Sequence, residues 1–153
     1  MEQKQSLFTS TGLLTENDLK TLILQLEQVN SHLFTTKYSV KQVLDQCIPS
    51  EFLTDVKDYL ILLVGSLEDS QKVQAGLSKL REDLLVREVV VLEVAKELKK
   101  ENYLSISNWL EINLRKPYIL RIVVKAELLG GAIINFQGKF GDYSLIKKIS
   151  REL

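Results

Sequence analysis

The chain has one cysteine, Cys47, and one histidine, His32. A disulfide framework and a cysteine-based zinc site both need more thiols than a single chain supplies. A Ser-His-Asp arrangement or a His-rich metal site would have to rest on His32 alone. There is no surplus of either charge: twenty Lys/Arg face twenty Asp/Glu. The basic excess of a dedicated nucleic-acid binder is therefore missing. Long apolar runs are missing too. The longest uncharged stretches, Gln5–Thr15 and Leu128–Gly138, are eleven residues each, against the roughly twenty apolar residues that a membrane-crossing helix needs. The opening MEQKQSLFTS lacks the basic and then apolar regions of a secretory signal. The expectation is a soluble, intracellular protein, which leaves open work at a membrane as part of a larger assembly.

What is present is an ordinary globular mixture of 153 residues, 45% apolar and 26% charged, enough to bury a real core. The neutral total hides an asymmetry. Residues 1–85 carry eight Lys/Arg against twelve Asp/Glu, and residues 86–153 carry twelve against eight. The net charge thus moves from −4 to +4, the pattern of two parts that face different partners, although charges scattered on solvated faces give the same totals.

The hydrophobic spacing divides at the same place. Thr15-Glu16-Asn17-Asp18 has the form of a capping box, and Leu19, Leu22, Ile23, Leu26, Val29 and Leu33 follow at helical spacing, predicting a helix over 16–35. Ser39-Val40-Lys41-Gln42 is a second capping box, opening a short helix to Cys47. Pro49 and Ser50 start a third, with Phe52, Leu53, Val56, Tyr59, Leu60, Leu63 and Val64 on its stripe, broken by Gly65-Ser66. Val73, Leu77, Leu80 and Leu84 mark a fourth. Such stripes with short connections predict a small antiparallel bundle. From residue 86 the grammar changes. Arg87–Val94 is rich in β-branched residues and reads as a strand, as do Tyr118–Val124 and Ala132–Phe136. Residues 99–115, through Tyr103, Ile106, Leu110 and Leu114, read as a helix closed by Pro117, and Ser144–Leu153 reads as a last helix. The expected fold is α+β: a helical bundle over 1–85, then a small α/β domain over 86–153 in the order strand, helix, strand, strand, helix.

No constellation for catalysis emerges. His32 reads as a partly exposed structural residue. Cys47 reads as a small core residue with no second histidine or cysteine to activate it. Gly130-Gly131, Gly138 and Gly141 fit neither GxxxxGK[ST] nor GxGxxG, so turns and close backbone packing explain them better than a phosphate loop. Asp142 and Ser144 could pass for an acid and a nucleophile, but side-chain oxygens at a helix entry need no further purpose. Lys99-Lys100 and Lys147-Lys148 read as solvated pairs.

One segment is specific. Leu128-Leu129-Gly130-Gly131 is followed, eleven residues after the second glycine, by Asp142 and then by Ser144. This resembles the C-terminal signature of the F-type ATP synthase delta subunit family, whose mitochondrial members are oligomycin-sensitivity-conferring proteins. That signature is an L-I-G-G, an apolar strand, a turn and D-x-S before a short helix. Upstream, Val94-Ala95-Lys96-Glu97-Leu98 is similar to the family's strand-ending segment, and about 65 residues, 89–153, are covered.

The resemblance implies a non-catalytic peripheral-stalk, or stator, subunit with no cofactor and no metal. It links the catalytic head to the membrane sector during proton-driven ATP synthesis, at the cytoplasmic face of the membrane. It implies that the bundle over 1–85 binds the N-terminal ends of the alpha subunits and that 86–153 grips the b-type stalk subunits. Gly130, Gly131, Asp142 and Ser144 are then expected to hold the second domain together and to do no chemistry. Two other readings stay open on the residues alone: the E-type stalk subunit of V/A-type rotary ATPases, and a two-domain adaptor unrelated to rotary ATPases.

Overall fold

The computed structural model describes residues 15–99, 101–102, 106, 110, 112–113 and 118–142. The chain divides into two compact units. One takes Asn17–Arg87; the other takes the chain from Glu88 onward together with Thr15 and Glu16.

The first unit holds four helices: α1 (Glu16–His32), α2 (Val40–Cys47), α3 (Ser50–Val64) and α4 (Ser70–Leu85). The predicted stripes supply its core. Leu22, Leu26, Val29 and Leu33, then Val40, Val43, Leu44 and Ile48, then Val56 and Leu60, and finally Val73, Leu77, Leu80 and Leu84 are all buried. Each such side chain stabilises the fold by about 1.5–3 kcal/mol relative to exposure. The helix ends follow local chemistry. At the start of α2, Ser39 Oγ accepts from the Gln42 amide while Gln42 Oε1 accepts from the Ser39 amide at 2.9 Å, the expected capping box. Asp69 caps α4, its Oδ1 accepting from the amides of Gln71 and Lys72. Gly65 ends α3 in the left-handed region, φ +83°, and its amide donates to the Ile61 carbonyl. Helix α1 stops at His32, three residues short of the expected end. The hydroxyls of Ser31, Thr35 and Thr36 donate to the carbonyls of Gln28, Ser31 and His32, and so compete with the helical ladder.

Helices α3 and α4 run antiparallel. Tyr59, in the C-terminal half of α3, donates to Asp83 near the end of α4 at 2.5 Å, while Gly76, nearer the start of α4, lies against Leu60 and Val64, closer to the end of α3. Burial raises the Tyr59 hydroxyl above the usual phenol range, and the bond to Asp83 and its charge raise it further. Burial also pushes the Asp83 carboxyl up. The hydrogen bonds from Tyr59 and Lys79, with the charge of Lys79, more than offset this and leave it below the usual carboxylate range.

The second unit is built on one mixed sheet of β1 (Glu88–Val94), β2 (Tyr118–Val124), β3 (Ala132–Phe136) and β4 (Lys139–Asp142), in the order β2-β1-β3-β4. β1 and β2 are parallel, and β3 is antiparallel to both β1 and β4. Between β1 and β2 the described residues 101, 102, 106, 110, 112 and 113 are helical. Ile106 and Leu110 pack on the sheet face formed by Val90, Leu92, Val94, Tyr118 and Leu120, joined by Ile122, Ile134 and Phe136. A parallel pair needs such a crossover, and the crossover supplies the apolar cover that this face requires.

One expectation is corrected. The chain does not pass from Phe136 directly toward a helix. Gln137 and Gly138, at φ +49° and +75°, make a two-residue turn, and Lys139–Asp142 comes back as a fourth strand. Positive φ at both central residues matches the twist of the strands they join. Thr15, just before α1, also forms an isolated parallel bridge with Leu120 of β2. The expected helix over 144–153 lies outside the described residues.

Candidate docking surfaces

The loop between β2 and β3 must carry the chain past the end of β1, because β2 and β3 flank that strand. It starts by extending the ladder, with the Lys125 amide donating to the Val94 carbonyl at 2.7 Å. Lys125 Nζ also pairs with Glu93 at 2.8 Å. A single 3₁₀ turn, Ala126–Leu128, follows, and it buries Leu128 as an anchor. Leu129 then enters the left-handed region at φ +59° and Gly131 does so at +75°. Gly131 feeds Ala132 into register opposite Val94. Of the four expected motif residues, Gly130 and Gly131 thus sit together in this loop. Asp142 ends β4, paired with Ile133 next to the start of β3. Ser144 lies outside the described residues.

The sheet has a second face, pointing away from Ile106 and Leu110. Register places Arg121, Val91, Asn135 and Phe140 in one row across it. Phe140 is 64% exposed, Val89 is also exposed, and Val91, Val123 and Ile133 are half-buried. An aromatic ring at this exposure on a strand is a natural anchor for another surface. Sequence reasoning missed it, because Phe140 lies in a glycine-containing stretch with no strand alternation.

The first unit has its own apolar opening. A groove of about 620 Å³ lies between the start of α2, the end of α3 and the turn before α4, bordered by Tyr38, Val40, Ile61 and Leu67 with Lys41 and Glu68 at its rim. Tyr38 is 55% and Ile61 46% exposed, and Leu62 and Leu63 beside them are exposed as well. Of the predicted α3 stripe, Val56 and Leu60 are buried while Leu63 is exposed.

The structure brings the single histidine and the single cysteine together, with His32 Nδ1 3.7 Å from Cys47 Sγ. The sequence reading kept them apart, since 15 residues separate them. Burial raises the Cys47 thiol above its usual range, the opposite of what an activated nucleophile requires. Among the described residues no group of three or more His, Cys, Asp or Glu could hold a metal, and no helix is long and apolar enough to cross a membrane.

A helical unit and a small mixed sheet, each presenting apolar surface, describe a protein that works by docking. The model of one protein family, the ATP synthase delta (OSCP) subunit, matches residues 12–152. The chain therefore belongs to the ATP synthase delta (OSCP) subunit family, and is a peripheral-stalk subunit of F-type ATP synthase. Members of this family are structural subunits, peripheral parts of the complex. No individual curated protein gives a significant match.

Proposed function

We propose that the two units divide the stator's task. The helical unit, residues 1–85, receives the N-terminal ends of the alpha subunits, and residues 86–153 receive the b-type stalk subunits at the cytoplasmic face of the membrane. The observation that carries this reading is that each unit presents a separate apolar surface, the Tyr38–Ile61 groove in one and the Phe140 face in the other. The change of net charge from −4 to +4 between the two stretches agrees with it. An amphipathic helix laying its apolar stripe into the groove would gain affinity from the buried anchors, and the charged rim would set its orientation. Gly130, Gly131, Asp142 and, beyond the described residues, Ser144 hold the second unit in shape for its partner. A stator needs nothing more, because the head supplies the catalysis and the stalk resists rotation.

The test uses the full chain. Ile61→Glu should weaken binding to the alpha subunits by about tenfold or more and leave the b subunit alone; Phe140→Glu should do the reverse. Titrations of each variant against both partners decide it, and Ile61→Glu acting only on b would sink the division. The purified chain should also turn over no ATP. Hydrolysis that scaled with this protein after removal of contaminating head subunits would contradict the reading.

A further inference from the structure

We propose that the groove of the helical unit reads charge as well as shape: it takes an amphipathic helix whose apolar anchors are flanked by an acidic residue against Lys41 and a basic residue against Glu68. That this helix comes from an alpha subunit rests on the reading above; the charge pattern of the groove does not. The two rim charges stand on different elements, Lys41 in the first turn of α2 and Glu68 in the turn between α3 and α4. Both residues are exposed, and among the described residues neither side chain has an ion-pair or hydrogen-bond partner. An incoming helix therefore breaks no existing pair when it engages them.

The backbone repeats the same polarity. At the start of α2 the hydroxyl and carbonyl of Ser39 take the amides of Gln42 and Val43, which leaves those of Val40 and Lys41 to attract an acid. At the end of α3 the Gly65 amide takes the Ile61 carbonyl, which leaves those of Leu62, Leu63 and Val64 to attract a base. The apolar part of the groove, with Tyr38, Ile61 and Leu67 on its walls, has a volume of about 620 Å³. That is within the roughly 300–1,000 Å³ of sites that enclose a ligand, and it suits the few anchor side chains on one helix face. The anchors supply affinity, and the two rim charges decide which helices are accepted.

The experiment titrates the full chain with three peptides of about 18 residues, long enough to hold a helix in part. They share one apolar stripe and differ only beside it: Glu at one end and Lys at the other, Glu at both ends, or Lys at both. Work at about 0.15 M salt screens the remoter charges of the unit. The wild-type protein should prefer the mixed peptide. Lys41→Glu leaves two acidic rim residues and should prefer the Lys peptide; Glu68→Lys leaves two basic ones and should prefer the Glu peptide. Each matched exposed pair is expected to be worth about two- to fivefold in affinity. Both variants should fold normally, since the helix dipole favours an acid in the first turn of α2 and Glu68 lies in an exposed turn. The same order of the three peptides on all three proteins overturns the proposal, as does failure of every peptide to bind the wild type. A fourth peptide, the N-terminal segment of the alpha subunit, tests the reading of the partner separately. If the preferences switch but that segment does not bind, the groove keeps its specificity and loses its assigned partner. If that segment binds, and Ile61→Glu abolishes this, while the preferences stay fixed, the partner stands and the charge reading falls.

Discussion

Gly131→Val should melt well below the wild-type protein. Gly131 holds φ +75° at the point where the loop over β1 delivers Ala132 into β3. A β-branched side chain does not adopt that conformation without clash, and holding an ordinary residue there costs about 1–3 kcal/mol, with valine at the upper end. The loop has little room to adjust, since Leu129 two residues earlier already sits at φ +59°. A loss near 3 kcal/mol corresponds to a fall of roughly 12–24 °C in the melting temperature of a domain of this size. Binding to the b subunit should weaken as a consequence. Thermal melts and b-subunit titrations on the same preparation separate the two effects. A variant that melted like wild type yet no longer bound b would make the glycine pair the docking surface itself.

The second large effect is expected on α4, at Gly76. A Cβ built there stands 2.8 Å from Leu60 Cδ2 and 3.3 Å from Val64 Cγ1. Alanine meets the far end of the Leu60 side chain, which must shift by a few tenths of an ångström, and comes close to a methyl of the stiffer Val64. Its higher helix propensity, about 1 kcal/mol over glycine, offsets the small shift required of Leu60, so Gly76→Ala should be close to neutral. Valine adds two methyl groups to the same gap. Leu60 is fully buried, and the larger displacement that these methyls require disturbs the packing around it, so Gly76→Val should destabilise by about 1–3 kcal/mol. Denaturant unfolding of both variants checks this. Equal midpoints for alanine and valine would mean that α3 and α4 do not approach as closely as the structure has them.

These two glycines differ in how far they could be foreseen. Gly131 belongs to the Leu128–Gly131 motif, and its neighbours on either side read as strands, so a turn conformation was the natural expectation. Gly76 sits inside a helical stripe, where nothing in the spacing says that another helix crosses at that point. The same contrast runs through the fold. The bundle was legible because each helix has its own stripe and, as at Ser39 and Gly65, its own stop or start residue. The first three strands were legible from runs of Val, Ile and Leu. β4 was not, because Lys139-Phe140-Gly141-Asp142 has no alternation and a glycine in its middle. It is a strand because the turn at Gln137-Gly138 aims it back along β3. The motif loop announced itself in the sequence, whereas the Phe140 face became visible only once the sheet register was known. Glu16 and Arg121, whose side chains pair at 2.8 Å, were hidden for a different reason. Each satisfies a local reading, one at a helix start and one in a strand, and only long-range contact joins them.

That long-range contact also sets an order of events during synthesis. The helical unit is complete in sequence once Arg87 has been made, and its helices need only each other to bury their stripes. Arg121 follows about 34 residues later, which at 5–20 residues per second is a delay of roughly 2–7 s. Until then Thr15 and Glu16 have no β2 to meet. The sheet then assembles from β1, β2, β3 and β4 in turn, and the first described residues of the protein are among the last to find their partners.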